Sequence, residues 1–167
     1  GQPTRNYTEG TFAQSKDIDG AVLAKTILKE RDTCYACVVK CKRTVEVRDP
    51  DLTVDPIYGG PEYETLTFFG SMCGVGDLKL LSKASADANM YGMDTISAGA
   101  TIAWAIEAKE KGLLDDQGLG LAYGDGQSVL RAIEAIALRR GVGDLLAEGS
   151  LRAAQSLGPA AVDLTVT

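Results

Sequence analysis

The stretch "DTISAGATIAWAIEAKEKG", residues 94–112, reads as a helix with its own start and stop. Asp94 or Thr95 supplies the N-cap, a basic last turn suits the negative end of the helix dipole, and Gly112 closes it. The same grammar recurs on both sides. "PEYETLTFFGSMCG" (61–74) opens with Pro61, apt for a first helical turn, and stops at Gly74. "DLKLLSKASADANMYG" (77–92) is capped by Asp77 and ends at Gly92. "QSVLRAIEAIALRRG" (127–141) and "DLLAEGSLRAAQSLG" (144–158) close at Gly141 and Gly158. Short loops between these segments predict a helical bundle over 61–158.

Upstream the texture differs. Residues 1–16 mix Gly, Thr, Asn and Gln without a period and predict an extended arm. "DIDGAVLAKTILKERD" (17–32) sets Val22, Leu23, Thr26, Ile27 and Glu30 at helical spacing, with Asp17 or Asp19 as cap. "KRTVEVRD" and "LTVDPIY" are β-rich pieces around Asp49-Pro50-Asp51 and predict a short β-hairpin over 42–58. The final "AAVDLTVT" alternates like a strand, then stops with no turn or partner. Neither that ending nor the start, which lacks Met, suits a whole protein. The expectation is one mostly α, multi-helix domain over 1–167 with a small β-hairpin, part of a larger multidomain subunit.

Composition narrows the chemistry. The 167 residues are 45% hydrophobic and 24% charged, with no apolar run long enough for a membrane span and no secretory signal at the start. A net charge of -6 argues against a sequence-independent grip on nucleic acid, which needs a basic face. Histidine is absent, which excludes Ser-His-Asp and Cys-His catalysis, HExxH hydrolysis and His-containing zinc fingers. Four cysteines, three of them inside eight residues, are not a secreted disulfide framework. A reducing cytoplasm and a metal fit better.

Those three are Cys34, Cys37 and Cys41, in "CYACVVKC". Soft thiolates select zinc, copper(I) or iron–sulfur clusters, and this spacing on a turn or compact loop puts the sulfurs on one face. Zinc usually pairs two CxxC knuckles and only one is present; three reduced structural thiols are the remaining alternative. Cys73, in "SMCGVGD", is either a fourth ligand or a small buried hydrophobe at a helix end, and its apolar neighbours favour the second. Glu62 and Glu64 enter a helix, where the dipole alone accounts for carboxylates; Glu64 gains proton chemistry only if buried against a cofactor. At Asn89-x-x-Gly92-Met93-Asp94 one helix ends and the next begins. Carbonyls, N–H groups and a carboxylate share that corner, which either caps helices or binds a polar ligand. The glycines of "GDGQS" and "GVGD" complete neither a Walker sequence nor a dinucleotide fingerprint.

In order, "PTRNYTEGTF", "RDTCYACVVKCKR", "GPEYETLTFFGSMCG", "NMYGMDTISAGATIAWAIE" and "GVGDLLAEGSLRAA" strongly resemble the tungsten-containing aldehyde ferredoxin oxidoreductases. The resemblance runs from about residue 3 to 158 and covers a middle part of that family's longer polypeptide. It implies that Cys34, Cys37 and Cys41 ligate a [4Fe–4S] cluster beside tungsten (or molybdenum) held by two pterins. The family's last cysteine lies downstream of this segment, which leaves Cys73 outside the ligand set. It further implies that Asn89, Met93 and Asp94 form one pterin corner, with Asn where the family's D-x-x-G-L-D has its first acid, and that Glu64 serves as proton acceptor or substrate hydrogen-bond partner. With no histidine, the metal that some members bind at a dimer interface is not expected here. The implied reaction oxidises aldehydes to carboxylates and passes electrons through the cluster to ferredoxin. A segment with half a pterin pocket is expected to be inactive alone, and an apolar face left bare is expected to drive homo-oligomerisation. The rival is a stand-alone, noncatalytic iron–sulfur or zinc protein.

Overall fold

The computed structural model describes residues 2–166. After an N-terminal segment come helix α1 (Gly20–Thr26) and strands β1 (Leu28–Asp32), β2 (Lys42–Val45), β3 (Val47–Asp49) and β4 (Leu52–Val54). Helices α2 (Tyr63–Thr65), α3 (Leu78–Met90), α4 (Thr95–Glu110) and α5 (Gly126–Ala137) follow. The chain continues through α6 (Val142–Leu146), α7 (Ser150–Leu157) and α8 (Pro159–Val162). The strands form two antiparallel pairs, β1 with β2 and β3 with β4. The protein is mostly helical with a small β portion, the class that the caps predicted. Among the described residues no helix is long and apolar enough to cross a membrane.

Helix α4 is the axis. Its N-cap Asp94 accepts the Ser97 N–H at 2.7 Å, and Ala98, Ile102, Ala103, Trp104, Ala105, Ile106 and Ala108 are buried around its whole girth. A helix apolar on every side has to be enclosed by its neighbours. Helices α3, α5 and α7 and the segment 63–73 enclose it. Small residues permit the close approach: a Cβ on Gly99 would lie 2.7 Å from the Phe68 carbonyl carbon. Phe68 belongs to a π-helical turn (Leu66–Gly70) that extends α2, followed by a 3-10 turn (Ser71–Cys73) ending at Gly74 with φ 71°. The helix expected over 61–74 is therefore wound three ways in succession. Burying Trp104, Ile102 and Ile106 contributes about 2–3 kcal/mol each, and the Trp104 indole N–H is satisfied by the Ala161 carbonyl at 3.1 Å.

Four local expectations are corrected. Helix α1 ends at Thr26, and Leu28–Asp32 is a strand paired with β2, so the hairpin proper is β3–β4. β1 is exposed along nearly its whole length, which leaves no apolar period to betray it. The N-terminal arm is folded rather than extended: Arg5, Asn6 and Tyr7 are left-handed, and Thr4 bridges to Glu9. Asn6 then donates both to the buried Glu107 carboxylate at 2.7 Å and to the Leu164 carbonyl at 2.9 Å. Residues 144–158 are two helices because Gly149, at φ 85°, breaks them. Residues 159–162 are helical rather than extended, since Pro159 occupies a first helical turn.

The loop after α4 is organised by Asp116, which is 8% exposed. Its carboxylate accepts from Leu121 N–H at 2.8 Å and Gly118 N–H at 3.3 Å and pairs with Lys109 Nζ at 2.7 Å. Burial opposes ionisation, but Lys109 and the two N–H groups outweigh it and hold the carboxyl below its usual range. A depressed folded pKa gives stability that is present above the unfolded value, about 3.9, and is lost as pH falls through the folded value. Acid unfolding followed by Trp104 fluorescence is expected to be less steep below that pH for Asp116→Asn. The variant should also be less stable than the parent at neutral pH.

Candidate metal and cofactor site

The antiparallel β1–β2 pair presents residues 33–41 as its connecting loop. Cys37 N–H bonds to the Cys34 carbonyl at 3.0 Å, and the Thr33 hydroxyl donates to the Cys34 and Cys37 carbonyls. Ala36 (φ 57°) and Lys40 (φ 53°) are left-handed, so the chain reverses once between Cys34 and Cys37 and again between Cys37 and Cys41. A non-glycine residue held there costs about 1–2 kcal/mol, a strain that clusters at functional sites. Cys34 and Cys41 are exposed and Cys37 half-buried. Among the described residues the N–H groups of residues 38–40 find no protein acceptor.

Three soft thiols on one reversing loop, with free N–H donors between them, suit a sulfide-containing cluster, and the donor set fits the group. They do not close around a single ion: among the described residues no three Cys, His, Asp or Glu side chains are placed to hold one. Cys73 is elsewhere. It is fully buried beside α4, directs its thiol at the Phe68 and Gly99 carbonyls, and burial pushes that thiol strongly up. It is a packed, protonated core residue.

The other predicted residues lie at helix ends that tertiary bonds draw together. Glu64 is exposed in the first turn of α2, and its neighbour Thr65 shares a hydroxyl–hydroxyl bond of 2.9 Å with Thr95, the residue after Asp94. The Glu64 turn and the start of α4 are thus side by side. Hydrogen bonds from the Ser97 hydroxyl and N–H hold the Asp94 carboxyl below its usual range. Met93 and Asp94 line an open cavity of about 340 Å³ with Tyr91, Ser97 and Thr101. Asn89, at the end of α3, donates to the Tyr58 carbonyl at 3.2 Å. The next residue, Gly59, accepts from Val45 N–H at 3.1 Å, and a Cβ there would stand 3.3 Å from Lys42 Cε. Two hydrogen bonds therefore tie Asn89, by way of Tyr58 and Gly59, to Val45 in β2, the strand that follows Cys41. Reading the sequence missed Thr65, Thr95 and Tyr58, whose roles arise only from contacts distant in sequence. Thr33, just before the first cysteine, carried the signal of a Thr-capped turn.

The whole chain, residues 1–167, matches the family described as "Aldehyde ferredoxin oxidoreductase, domains 2 & 3". The tungsten-containing aldehyde ferredoxin oxidoreductase of Thermococcus kodakarensis is 38% identical over 160 residues, 93% of this chain and 26% of that protein. The Pyrococcus furiosus protein of the same name is 36% identical over 168 residues, 98% of this chain and 27% of its own length. Among solved structures, the BamBC active-site complex of benzoyl coenzyme A reductase with 1,5-dienoyl-CoA superposes with a TM-score of 0.75 at 26% identity. That match covers 98% of this chain and 24% of that one. The chain belongs to the aldehyde ferredoxin oxidoreductase family and spans about a quarter of the length of the curated relatives it matches.

Proposed function

We propose that this chain is the part of a tungstopterin oxidoreductase that holds a [4Fe–4S] cluster and one pterin, within a polypeptide that oxidises aldehydes to carboxylic acids and delivers the electrons to ferredoxin. The observation that carries this reading is the chain of contacts linking Asn89, through Tyr58 and Gly59, to the strand beside Cys41. It supports a reading in which Asn89 and the thiol loop serve one site.

Cys34, Cys37 and Cys41 bind the cluster, and the free N–H groups of residues 38–40 donate to its sulfides. Asn89 spends its amide N–H on Tyr58 and keeps Oδ1 as an acceptor for pterin N–H groups. Asp94, kept ionised by Ser97, accepts from the same ring system, and Met93 lies against its apolar face. Glu64, exposed in this segment, takes up the role of proton acceptor only once the rest of the polypeptide and the bound cofactor cover its carboxylate. Bound tungsten (or molybdenum) supplies the two-electron redox chemistry. Remaining parts of the polypeptide supply the fourth cysteine and the second pterin corner. The free thiols suit a reducing cytoplasm.

The isolated chain is accordingly expected to fold but to be silent. Its bare apolar side chains, Tyr35, Val38, Val39 and Ile57 among them, favour self-association. The test is anaerobic expression with tungstate of this chain and of the full-length polypeptide. Aldehyde-dependent dye reduction, iron, sulfide and tungsten are then measured for both. Turnover and tungsten are expected in the full-length protein only. Turnover by the isolated chain, or none by the full-length protein, overturns the reading.

A further inference from the structure

Two helix starts are tied together inside the candidate site. Thr65 is 5% exposed, and its hydroxyl meets that of Thr95 at 2.9 Å. The hydroxyls of Thr67, Ser82 and Thr101 instead return to a carbonyl four residues back in their own segments. Thr65 spends its hydroxyl across the gap between α2 and α4.

About one turn further on, the same two segments touch again. A Cβ on Gly99 would stand 2.7 Å from the Phe68 carbonyl carbon and 2.9 Å from its oxygen. Thr65 and Phe68 are three positions apart and Thr95 and Gly99 four, so each pair shares one face of its segment. The two contacts therefore set the segments running the same way, with their first turns at one end. Those turns carry Glu64 and Asp94, each the residue just before its threonine. The two starts are not equally firm. Helix α4 has 16 residues, is capped by Asp94 through the Ser97 N–H at 2.7 Å, and is buried around its whole girth. Helix α2 is a 3-residue turn, and among the described residues Glu62 at its N-cap gives it no side-chain bond. A turn that short does not hold itself, so its place depends on what it is bonded to.

We propose that Thr65 and Thr95 are positioning residues: their bond fixes the Glu64 turn on the helix that carries the pterin corner. The Glu64 carboxylate thereby keeps its place when the cofactor and the rest of the polypeptide close over it. The proposal rests on the oxidoreductase reading above and deepens it by naming what aims the proton acceptor. A misplacement of about 1 Å can cost about 100-fold in rate. Loss of this one bond is therefore expected to show in turnover while both helices stay folded.

The experiment uses the full-length, cofactor-loaded polypeptide with acetaldehyde and benzaldehyde as probes. Thr65→Val and Thr95→Val each remove one hydroxyl, and Thr65→Ser keeps it. Both valine variants are expected to lose about tenfold in kcat per bound tungsten, with KM for the aldehyde, iron and tungsten content unchanged. The serine variant is expected to turn over like the parent. Amide hydrogen exchange is expected to be about fivefold faster over residues 62–68 in the valine variants and unchanged over 95–110. Parental kcat in both valine variants overturns the proposal, as does a serine variant no better than valine. Loss of tungsten also overturns it, by assigning the pair to cofactor retention. Faster exchange over both segments overturns it too, by making the bond a general clamp on the fold. Faster exchange confined to 62–68, where the parent itself reduces no dye with either aldehyde, would support the hold on the turn while overturning the aldehyde chemistry.

Discussion

Full-length polypeptide carrying Cys37→Ser is expected to lose its iron and sulfide and at least about 100-fold in aldehyde-dependent activity, since altering even the groups behind a metal ligand costs 10–100-fold. Cys37 is the least exposed of the three loop thiols and the one whose N–H and carbonyl are both tied into the loop. Serine there preserves the Cys34 turn and the Thr33 bond, so the backbone stays as it is. What disappears is a soft sulfur ligand, replaced by a hard hydroxyl oxygen. Cys34→Ser and Cys41→Ser should act in the same direction. Cys73→Ala is the contrast: its thiol is buried and protonated among α4 and the π turn, so iron content should match the parent while stability falls modestly. Iron and sulfide analysis with circular dichroism separates the two classes. Equal iron in Cys37→Ser and the parent would remove the loop from the site.

The largest effect on stability is expected at Gly143. A Cβ built there would fall 2.2 Å from the Ala135 carbonyl oxygen and 2.3 Å from its carbon. Both are backbone atoms at the end of α5, so no rotamer change relieves the overlap; α6 must move off α5. Gly143→Ala is expected to lower the unfolding free energy by about 3 kcal/mol or more, the upper range for overpacked sites. Gly92→Ala tests the logic from the other side. A Cβ on Gly92 would meet nothing within 4 Å and only the left-handed φ of 70° opposes it, so the loss should amount to about 1 kcal/mol. Urea titrations of the two variants should differ clearly in midpoint. Similar midpoints would show that α6 is free to shift.

These particulars explain what the sequence could and could not announce. Asp77 and Asp94 cap α3 and α4 with their own carboxylates, and capping is local, so both helices were legible from short windows. β1 was not, because "LKERD" is stabilised by pairing with β2 and carries no buried stripe of its own. The same divide runs through the candidate site. Three cysteines in eight residues are visible by spacing alone. The Glu64 turn and the start of α4 are bonded through Thr65 and Thr95, thirty positions apart, and Asn89 bonds to the carbonyl of Tyr58, thirty-one positions before it. No local pattern encodes a partner that far along the chain. The π turn at Leu66–Gly70 was hidden for a related reason: it accommodates the close approach of Gly99, a tertiary demand.

One bond described above bears on how such a unit could be exchanged. Asn6 reaches from the first turn of the chain to the carbonyl of Leu164 near its last, with Glu107 of the central helix between them. Entry and exit thus lie at a single seam against the central helix. Transplanting this unit between relatives that are four times longer would disturb one junction instead of two distant ones. For the same reason a short linker from Thr165 to Pro3 should permit circular permutation, with new ends opened in the loop at 113–124 and Asp116 and Lys109 left to hold its stem.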